Sequence, residues 1–300
     1  MSRLFATALF VTLATMWGLS FPAISVGLEH LPPLLFAAFR YDTAAILLLG
    51  YAVATTDSWR PIGRNNLEAV LWGGLFLVAG NGLLFIGQQT VPSGVAAIQQ
   101  ALVPIVTALW ALLLLGERIS PVGAVGIGVG FLGVGLIVQP DLNNLLAGNT
   151  AGRLIILGQV VSVSLGGVLV DRAAPSMERV AMTGWAMLLG GIVLHLLSLS
   201  AGETAPATIP TPVALGAVVY LGVFSTALAF VIYFTILEKR GAFETSLVAY
   251  LVPVIATIAG AVLLGESVGL LTLTGFLVVF VGFALLKRHA LVELVAAGVS

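Results

Sequence analysis

The chain has no cysteine and little charge, and both shortages restrict its class. Without cysteine there are no disulfides, no reactive thiols and no cysteine-bound zinc. Lys, Arg, Asp and Glu make up 8% of the 300 residues, whereas a soluble domain carries about 25%. The net charge of −1 comes without a basic stripe, so nucleic acid is not expected as a partner. A chain of this composition cannot cover a surface that faces water.

Apolar sequence is what the chain has in abundance. Hydrophobic residues make up 59% of it, and the mean hydropathy is +1.13. Runs of about 20 apolar residues predict membrane-spanning helices, so we expect an all-α integral membrane protein with ten of them. The predicted spans are residues 4–27, 32–55, 67–89, 93–115, 121–138, 153–171, 179–200, 211–236, 243–264 and 268–287. The first has no small-residue cleavage site after it, so we interpret it as an uncleaved span.

Two stretches of the sequence, 149 residues apart, are nearly the same. Residues 102–136 and 251–285 both begin with Leu-Val-Pro and both contain Leu-Leu-Gly-Glu, and 12 of the 35 aligned residues are identical. The repeat predicts two halves, residues 1–150 and 151–300, with five helices each. Because five is odd, the second half should enter the membrane inverted, as in alternating-access transporters.

Positive charge predicts the orientation, because Lys and Arg concentrate in cytoplasmic loops. With the N-terminus inside, ten of the twelve Lys and Arg residues lie on the cytoplasmic side. Arg153 lies outside and Arg40 lies within a span. Both termini are therefore expected in the cytoplasm.

Motifs along the whole chain resemble those of the drug/metabolite transporter superfamily, and specifically its EamA-type family. They are Trp17-Gly18-Leu19-Ser20-Phe21-Pro22, the segment from Pro33 to Arg40, and the two Pro…Leu-Leu-Gly-Glu repeats. The resemblance implies export or exchange of small metabolites across a bacterial inner membrane. Among the branches, the chain looks most like the aromatic amino acid exporters. The family often has a Trp in helix 6, where this chain reads Val163-Ser164-Leu165-Gly166-Gly167, so a stacking role there is in doubt.

Polar and aromatic side chains inside the spans are candidates for lining a substrate pathway, since unpaired polar groups in hydrocarbon are costly. The alternative for each is a hydrogen bond between helices. Amides, hydroxyls and aromatic walls together suit a neutral or zwitterionic ligand with an apolar side chain. The candidates are Trp17, Asn81, Phe85, Gln88, Gln99, Gln100, Gln159, Ser164 and Tyr250.

Pro104 and Pro253 occupy equivalent positions of the repeat, inside helices 4 and 9. A proline within a helix removes a backbone hydrogen bond and kinks the helix. We interpret the pair as hinges for gating, with Pro22 as a weaker case. The alternative is a static kink that only shapes packing.

Arg40 and Asp42 are the only charges deep within a span, and two residues apart on a helix they point in different directions. Arg40 either meets a substrate carboxylate or holds helix 2 by bonding backbone carbonyls. Asp42 is the sole candidate for proton coupling. We therefore expect uniport-like passage down the substrate gradient. The alternative is proton-coupled efflux of other amphipathic compounds or drugs.

Other classes lack the residues that they need. The chain has no Gly-x-Ser-Gly, no paired membrane aspartates and no His-Glu-x-x-His, so no enzyme activity, cofactor or metal is expected. A channel would need a ring of charges or a carbonyl filter. Sugar-phosphate exchange would need more cavity-facing Lys and Arg than Arg40 alone. The sequence thus predicts a monomeric exporter of small neutral metabolites, with aromatic or bulky hydrophobic amino acids as the expected substrates.

Overall fold

The computed structural model describes residues 3–139, 148–204 and 211–288, and all regular structure in these ranges is helical. Eight helices are long and apolar enough to cross a membrane: α1 (Leu4–Leu28), α2 (Pro33–Thr55), α3 (Arg64–Gln88), α4 (Ser93–Leu115), α5 (Pro121–Val138), α6 (Gly148–Ala173), α7 (Arg179–Ser200) and α8 (Pro212–Gly241). Two shorter apolar helices follow, α9 (Val248–Leu264) and α10 (Leu270–Leu286). The predicted all-α membrane protein is confirmed.

The Leu-Leu-Gly-Glu motif of each repeat ends a helix. Gly116 closes α4 with φ 69°, and Gly265 closes α9 with φ 66°. Glycine adopts this left-handed conformation without the steric cost that a side chain would bring. The repeated motif is therefore a helix stop that lets α5 and α10 return close to the helix before them.

Two of the long helices contain a π-helical segment, and the two segments align in the repeat. In α3 it covers Gly73–Val78, and in α8 it covers Tyr220–Leu228. Gly73 aligns with Gly222, so both segments lie at the same place in their halves. π-Helical turns inside α-helices are rare and are frequent at functional sites.

The two helices that carry the repeated prolines are interrupted at different positions. α4 stops at Gln100 and resumes at Val103, directly before Pro104. α9 is continuous through Pro253 and begins at Val248, seven residues after a non-helical Gly241 with φ 82°. The two halves thus have different conformations at equivalent sites.

Helix ends meet in two groups at opposite ends of the bundle. At the first, the Glu266 end, the Glu266 carboxylate accepts from the Ser93 N–H at 2.9 and 3.0 Å. At the second, the Trp59 end, the rings of Trp59 and Trp185 stack with their centroids 6.2 Å apart. There the Asn66 side chain also accepts from the Ser176 N–H at 2.8 Å.

Glycines let α5 and α10 pack backbone against backbone. A Cβ atom on Gly282 would lie 2.6 Å from the Gly126 carbonyl oxygen, and one on Gly133 would lie 2.8 Å from the Gly275 carbonyl oxygen. By contrast, a Cβ on Gly128 or Gly135 would meet nothing within 4 Å. Small residues give the close helix contacts that stabilise membrane bundles.

We expect Gly282→Ala to destabilise the protein by about 1–3 kcal/mol, because the added methyl group overpacks a backbone contact. Gly128→Ala is the matched control, since its methyl group enters open space and favours the helix slightly. Thermal unfolding in detergent, followed by size-exclusion chromatography, measures both. Equal melting temperatures for the two variants would contradict the packing.

Candidate substrate site

A chain of side-chain hydrogen bonds crosses the bundle through four helices. Gln100 on α4 donates to Gln159 on α6 at 2.7 Å, and Gln159 donates to Asn81 on α3 at 2.9 Å. Asn81 in turn donates to the Tyr41 hydroxyl on α2. Three predicted candidates, Asn81, Gln100 and Gln159, are thereby joined in one polar network.

Arg40 lies beside the last member of this chain. Its side chain is 7% exposed, and its Nε donates to the Thr226 hydroxyl at 2.8 Å. The guanidinium carbon is 5.3 Å from the centre of the Tyr41 ring and 5.9 Å from that of Phe85. Thr226 belongs to the π-helical segment of α8, so Arg40 connects the two sequence halves.

An aromatic cluster lies between α1 and α8. The Trp17 ring lies 5.6 Å from Tyr233 and 6.1 Å from Phe230, centre to centre. The Tyr220 hydroxyl donates to the carbonyl of Met16 at 3.1 Å, next to Trp17. The predicted Trp17 therefore faces aromatic residues of the second half.

Phe85 and Gln88 follow Asn81 on α3, about one and two helical turns further along. Phe85 is fully buried and meets Phe36 edge to face at 5.3 Å. The Gln88 amide donates to the Phe21 carbonyl and, at 2.9 Å, to the Ser25 hydroxyl. Its Oε1 is buried and has no hydrogen-bond partner. A cleft of about 780 Å³, lined by Ser25, Gln88 and the loops of the Glu266 end, lies next to it.

Three of the predicted candidates do not belong to the hydrogen-bonded chain from Gln100 to Tyr41. Gln99 donates to the Arg153 carbonyl at 2.9 Å. Ser164 donates to the Val103 carbonyl at 3.2 Å. Tyr250 packs between Phe280 and Phe283 of α10, with ring centres 5.2 and 4.7 Å away.

Asp42 has a partner that the sequence did not suggest. Its Oδ2 lies 2.7 Å from His195 Nε2 on α7, and about a third of each side chain is exposed. Gly191 makes room, because a Cβ there would lie 2.6 Å from Asp42 Oδ1. The carboxylate is thus directed away from the side chain of Arg40.

Several members of the site were absent from the sequence candidates: Tyr41, Thr226, Phe230 and Tyr233. Tyr41 is adjacent to Arg40, which was the one available signal for it. Phe230 is the repeat equivalent of Asn81, at the same offset of 149. No group of three or more His, Cys, Asp or Glu suited to a metal occurs among the described side chains.

Comparisons with known proteins give the class. A model of the EamA-like transporter family matches residues 4–139 and again residues 150–288. The "Uncharacterized inner membrane transporter YedA" of Escherichia coli K12 is 33% identical over 261 residues, which are 87% of this chain and 83% of YedA. An uncharacterized transporter of Archaeoglobus fulgidus is 29% identical over 91% of this chain and 95% of its own length. YvbV of Bacillus subtilis, also an uncharacterized transporter, is 27% identical over 97% and 94%.

One crystal structure has the same fold, with a TM-score of 0.64 at 22% identity over 96% of this chain and 99% of that one. The chain belongs to the EamA-like transporter family, and it is a multi-pass membrane transporter. The family predicted from the motifs in α1, α2 and the repeats is thereby confirmed.

The hydrogen-bonded chain predicts energetic coupling between Asn81 and Gln159. Asn81→Leu and Gln159→Leu should show an interaction free energy of about 0.5–3 kcal/mol in a double-mutant cycle. Gln88→Leu is the comparison, because Gln88 has other partners and lies seven residues along α3 from Asn81. Unfolding free energies in detergent micelles measure both cycles. The hydrogen-bonded chain would be contradicted if the Asn81–Gln159 cycle gave no larger interaction free energy than the Asn81–Gln88 cycle.

Proposed function

We propose that this protein exports small amphipathic metabolites, namely aromatic or bulky hydrophobic amino acids, by alternating access between two inverted halves. The observation that carries the proposal is the meeting of polar and aromatic groups at one place. The amide chain ends at Tyr41, and the Arg40 guanidinium lies over the rings of Tyr41 and Phe85. Such a surface suits a ligand with polar groups at one end and an apolar side chain at the other.

Reciprocal glycine contacts support an inverted arrangement of residues 1–150 and 151–300. Gly126 aligns with Gly275 in the repeat, and Gly133 aligns with Gly282. In the fold, Gly126 meets Gly282 and Gly133 meets Gly275, so exchanging the halves converts one contact into the other. Reciprocity of this kind is the mark of a two-fold relation. The order of the contacts shows that α5 and α10 are antiparallel. If all ten helices span the membrane, the two-fold axis that relates the halves lies in the membrane plane.

We further propose that the Trp59 end faces the cytoplasm of a bacterial inner membrane. Positive side chains, including Arg60, Arg64 and Arg179, belong to loops and helix ends of that side, which fits the bias of cytoplasmic loops. The terminal residues 1–2 and 289–300 lie outside the described residues, and we propose that both termini are cytoplasmic. The name of YedA describes that relative as an inner membrane transporter. We expect the monomer to be the functional unit.

The contacts at the Glu266 end support a closed outer gate in this conformation. Glu266, in the α9–α10 turn, accepts from both the N–H and the hydroxyl of Ser93 at the start of α4. Gly260 permits this approach, since a Cβ there would lie 2.5 Å from Glu266 Oε2. The repeat equivalent of Glu266 is Glu117, at the opposite end. In our proposal the two carboxylates close opposite gates in turn.

Uniport remains the preferred mechanism, because Asp42 is paired with His195 and lies outside the amide chain. The same pair favours the second candidate, proton-coupled efflux, because it contains two titratable groups within a predicted span. The two mechanisms differ in their response to a pH gradient.

Uptake of radiolabelled Phe, Trp and Leu into proteoliposomes, with and without a pH gradient, tests the function. We expect saturable uptake that needs no gradient. Uptake only under a gradient would replace uniport by proton coupling through Asp42 and His195. Absence of uptake for all amino acids would reject the proposed substrate class.

The hinges are tested by Pro104→Ala and Pro253→Ala. Pro253→Ala restores a backbone hydrogen bond inside α9, and Pro104→Ala lets α4 continue across the interruption before it. Both changes should stiffen the helix and lower the transport rate about tenfold, or about 1.4 kcal/mol in the barrier. Protein level in the membrane should change much less. Pro61→Ala, in a loop of the Trp59 end, is the matched control. Parallel losses of rate and of protein level would mean that the prolines serve folding only.

A further inference from the structure

Arg40 is a buried cation that lacks an anion. Charged side chains are seldom buried unless they are paired, since the desolvation cost is high. Among the described residues no carboxylate forms an ion pair with Arg40, and the nearest one along the chain, Asp42, is bound to His195. The aromatic faces of Tyr41 and Phe85 offset part of the cost through cation–π attraction.

The two terminal nitrogens of the Arg40 guanidinium have no hydrogen-bond partner among the described residues. A guanidinium carries five N–H donors, and the hydrogen bond that the described residues provide is the one from Nε to Thr226. The two terminal nitrogens are not fully buried, so they retain some accessible surface. The two-nitrogen edge therefore has donors without partners at a residue that is 7% exposed.

Thr226 orients the edge of the Arg40 guanidinium that carries the two terminal nitrogens. It is fully buried in the π-helical segment of α8, and its hydroxyl accepts from Nε, the nitrogen next to the side-chain stem. Gly222 in the same segment brings α8 close to α2, because a Cβ there would lie 2.6 Å from Thr43 Cβ. With Nε held in this way, the terminal edge of the guanidinium is left free for a ligand between the halves.

No backbone carbonyl accepts from Arg40 among the described residues, so the geometry does not support a role in holding α2 through carbonyls. Apolar walls lie close by instead. Tyr41 and Phe85 flank the guanidinium. The Tyr220 hydroxyl, on the same π-helical segment as Thr226, donates to the backbone next to Trp17. A ligand here would have its anionic group against the guanidinium and apolar groups within reach of aromatic rings.

We propose that the terminal nitrogens of Arg40 bind the carboxylate of the transported molecule, and that the substrate class is therefore amphipathic carboxylates. A planar guanidinium and a carboxylate form two parallel hydrogen bonds, a geometry that an ammonium group does not offer. Amino acids belong to this class, and their decarboxylated amines do not. This inference rests on the proposed function, since it names the substrate group that the central site recognises.

Three related compounds test the inference by thermal stabilisation of the purified protein in detergent. L-phenylalanine has both charged groups, 3-phenylpropionate has only the carboxylate, and phenethylamine has only the ammonium group. We expect the first two to raise the melting temperature of the wild type and phenethylamine not to do so, because only a bound ligand stabilises the folded state. Arg40→Gln should weaken binding of both carboxylates about 10- to 100-fold, the usual effect of losing hydrogen bonds to a charged group.

Arg60→Gln is the matched control, because Arg60 also lies over an aromatic ring, 4.9 Å from the centre of Trp59, but is exposed at the other end of the bundle. It should bind the carboxylates as the wild type does. Arg40→Lys keeps the charge and loses the paired nitrogens, and Thr226→Val keeps the guanidinium and loses its alignment. Both should give an intermediate loss, and they replace Arg40→Gln as the test if that variant does not fold.

The outcomes separate the inference from the proposed function. Equal stabilisation by phenethylamine and 3-phenylpropionate, or carboxylate binding in Arg40→Gln within twofold of the wild type, would overturn the inference, whatever the uptake assays show. Carboxylate-selective binding that depends on Arg40, without uptake of any amino acid, would uphold the inference and reject amino acids as the cargo. Absence of stabilisation by all three compounds would overturn the inference as well.

Discussion

The interior of a bilayer offers no hydrogen-bond partner, and this constraint organises the centre of the molecule. Amide side chains that would be costly alone satisfy one another, from Gln100 through Gln159 and Asn81 to the hydroxyl of Tyr41. Four helices are held together by this chain, and the place where it ends is also where Arg40 is buried. A charge at that position is tolerated because aromatic faces and Thr226 surround part of it. In our proposal the remaining donors are satisfied by the cargo, so the need for pairing becomes the basis of recognition.

The molecule combines a tightly packed pair of helices with helices that are locally irregular. α5 and α10 meet backbone to backbone through glycines and are continuous α-helices. Near the site, α3 and α8 contain the π-helical segments, and α4 is interrupted before Pro104. Irregular backbone in a membrane is stable only where protein or a cavity receives the freed polar groups. We interpret the glycine pair as a fixed support against which the irregular helices move.

The sequence predicted the helices well and the site only in part, for a physical reason. Apolar runs and the prolines and glycines between them are local signals, so the helix bounds agree within a few residues for most spans. Each span is apolar on nearly all sides, so periodicity does not tell which face points inward. Asn81 and Gln100 therefore enter the polar chain, whereas Ser164 and Tyr250 lie elsewhere. The partners of Arg40 and Asp42 come from distant helices, and only the fold brings them together.

Alternation of two inverted halves is the central claim, and a pair of distance measurements tests it most directly. The chain has no cysteine, so introduced cysteines can carry spin labels without background. Gln89 and Ser267 are exposed at the Glu266 end, and their repeat equivalents, Glu238 and Arg118, are exposed near the other end. Double electron–electron resonance in liposomes, with and without substrate, should show one distance increasing as the other decreases. Two distances that rise and fall together, or that stay constant while substrate is transported, would contradict alternating access.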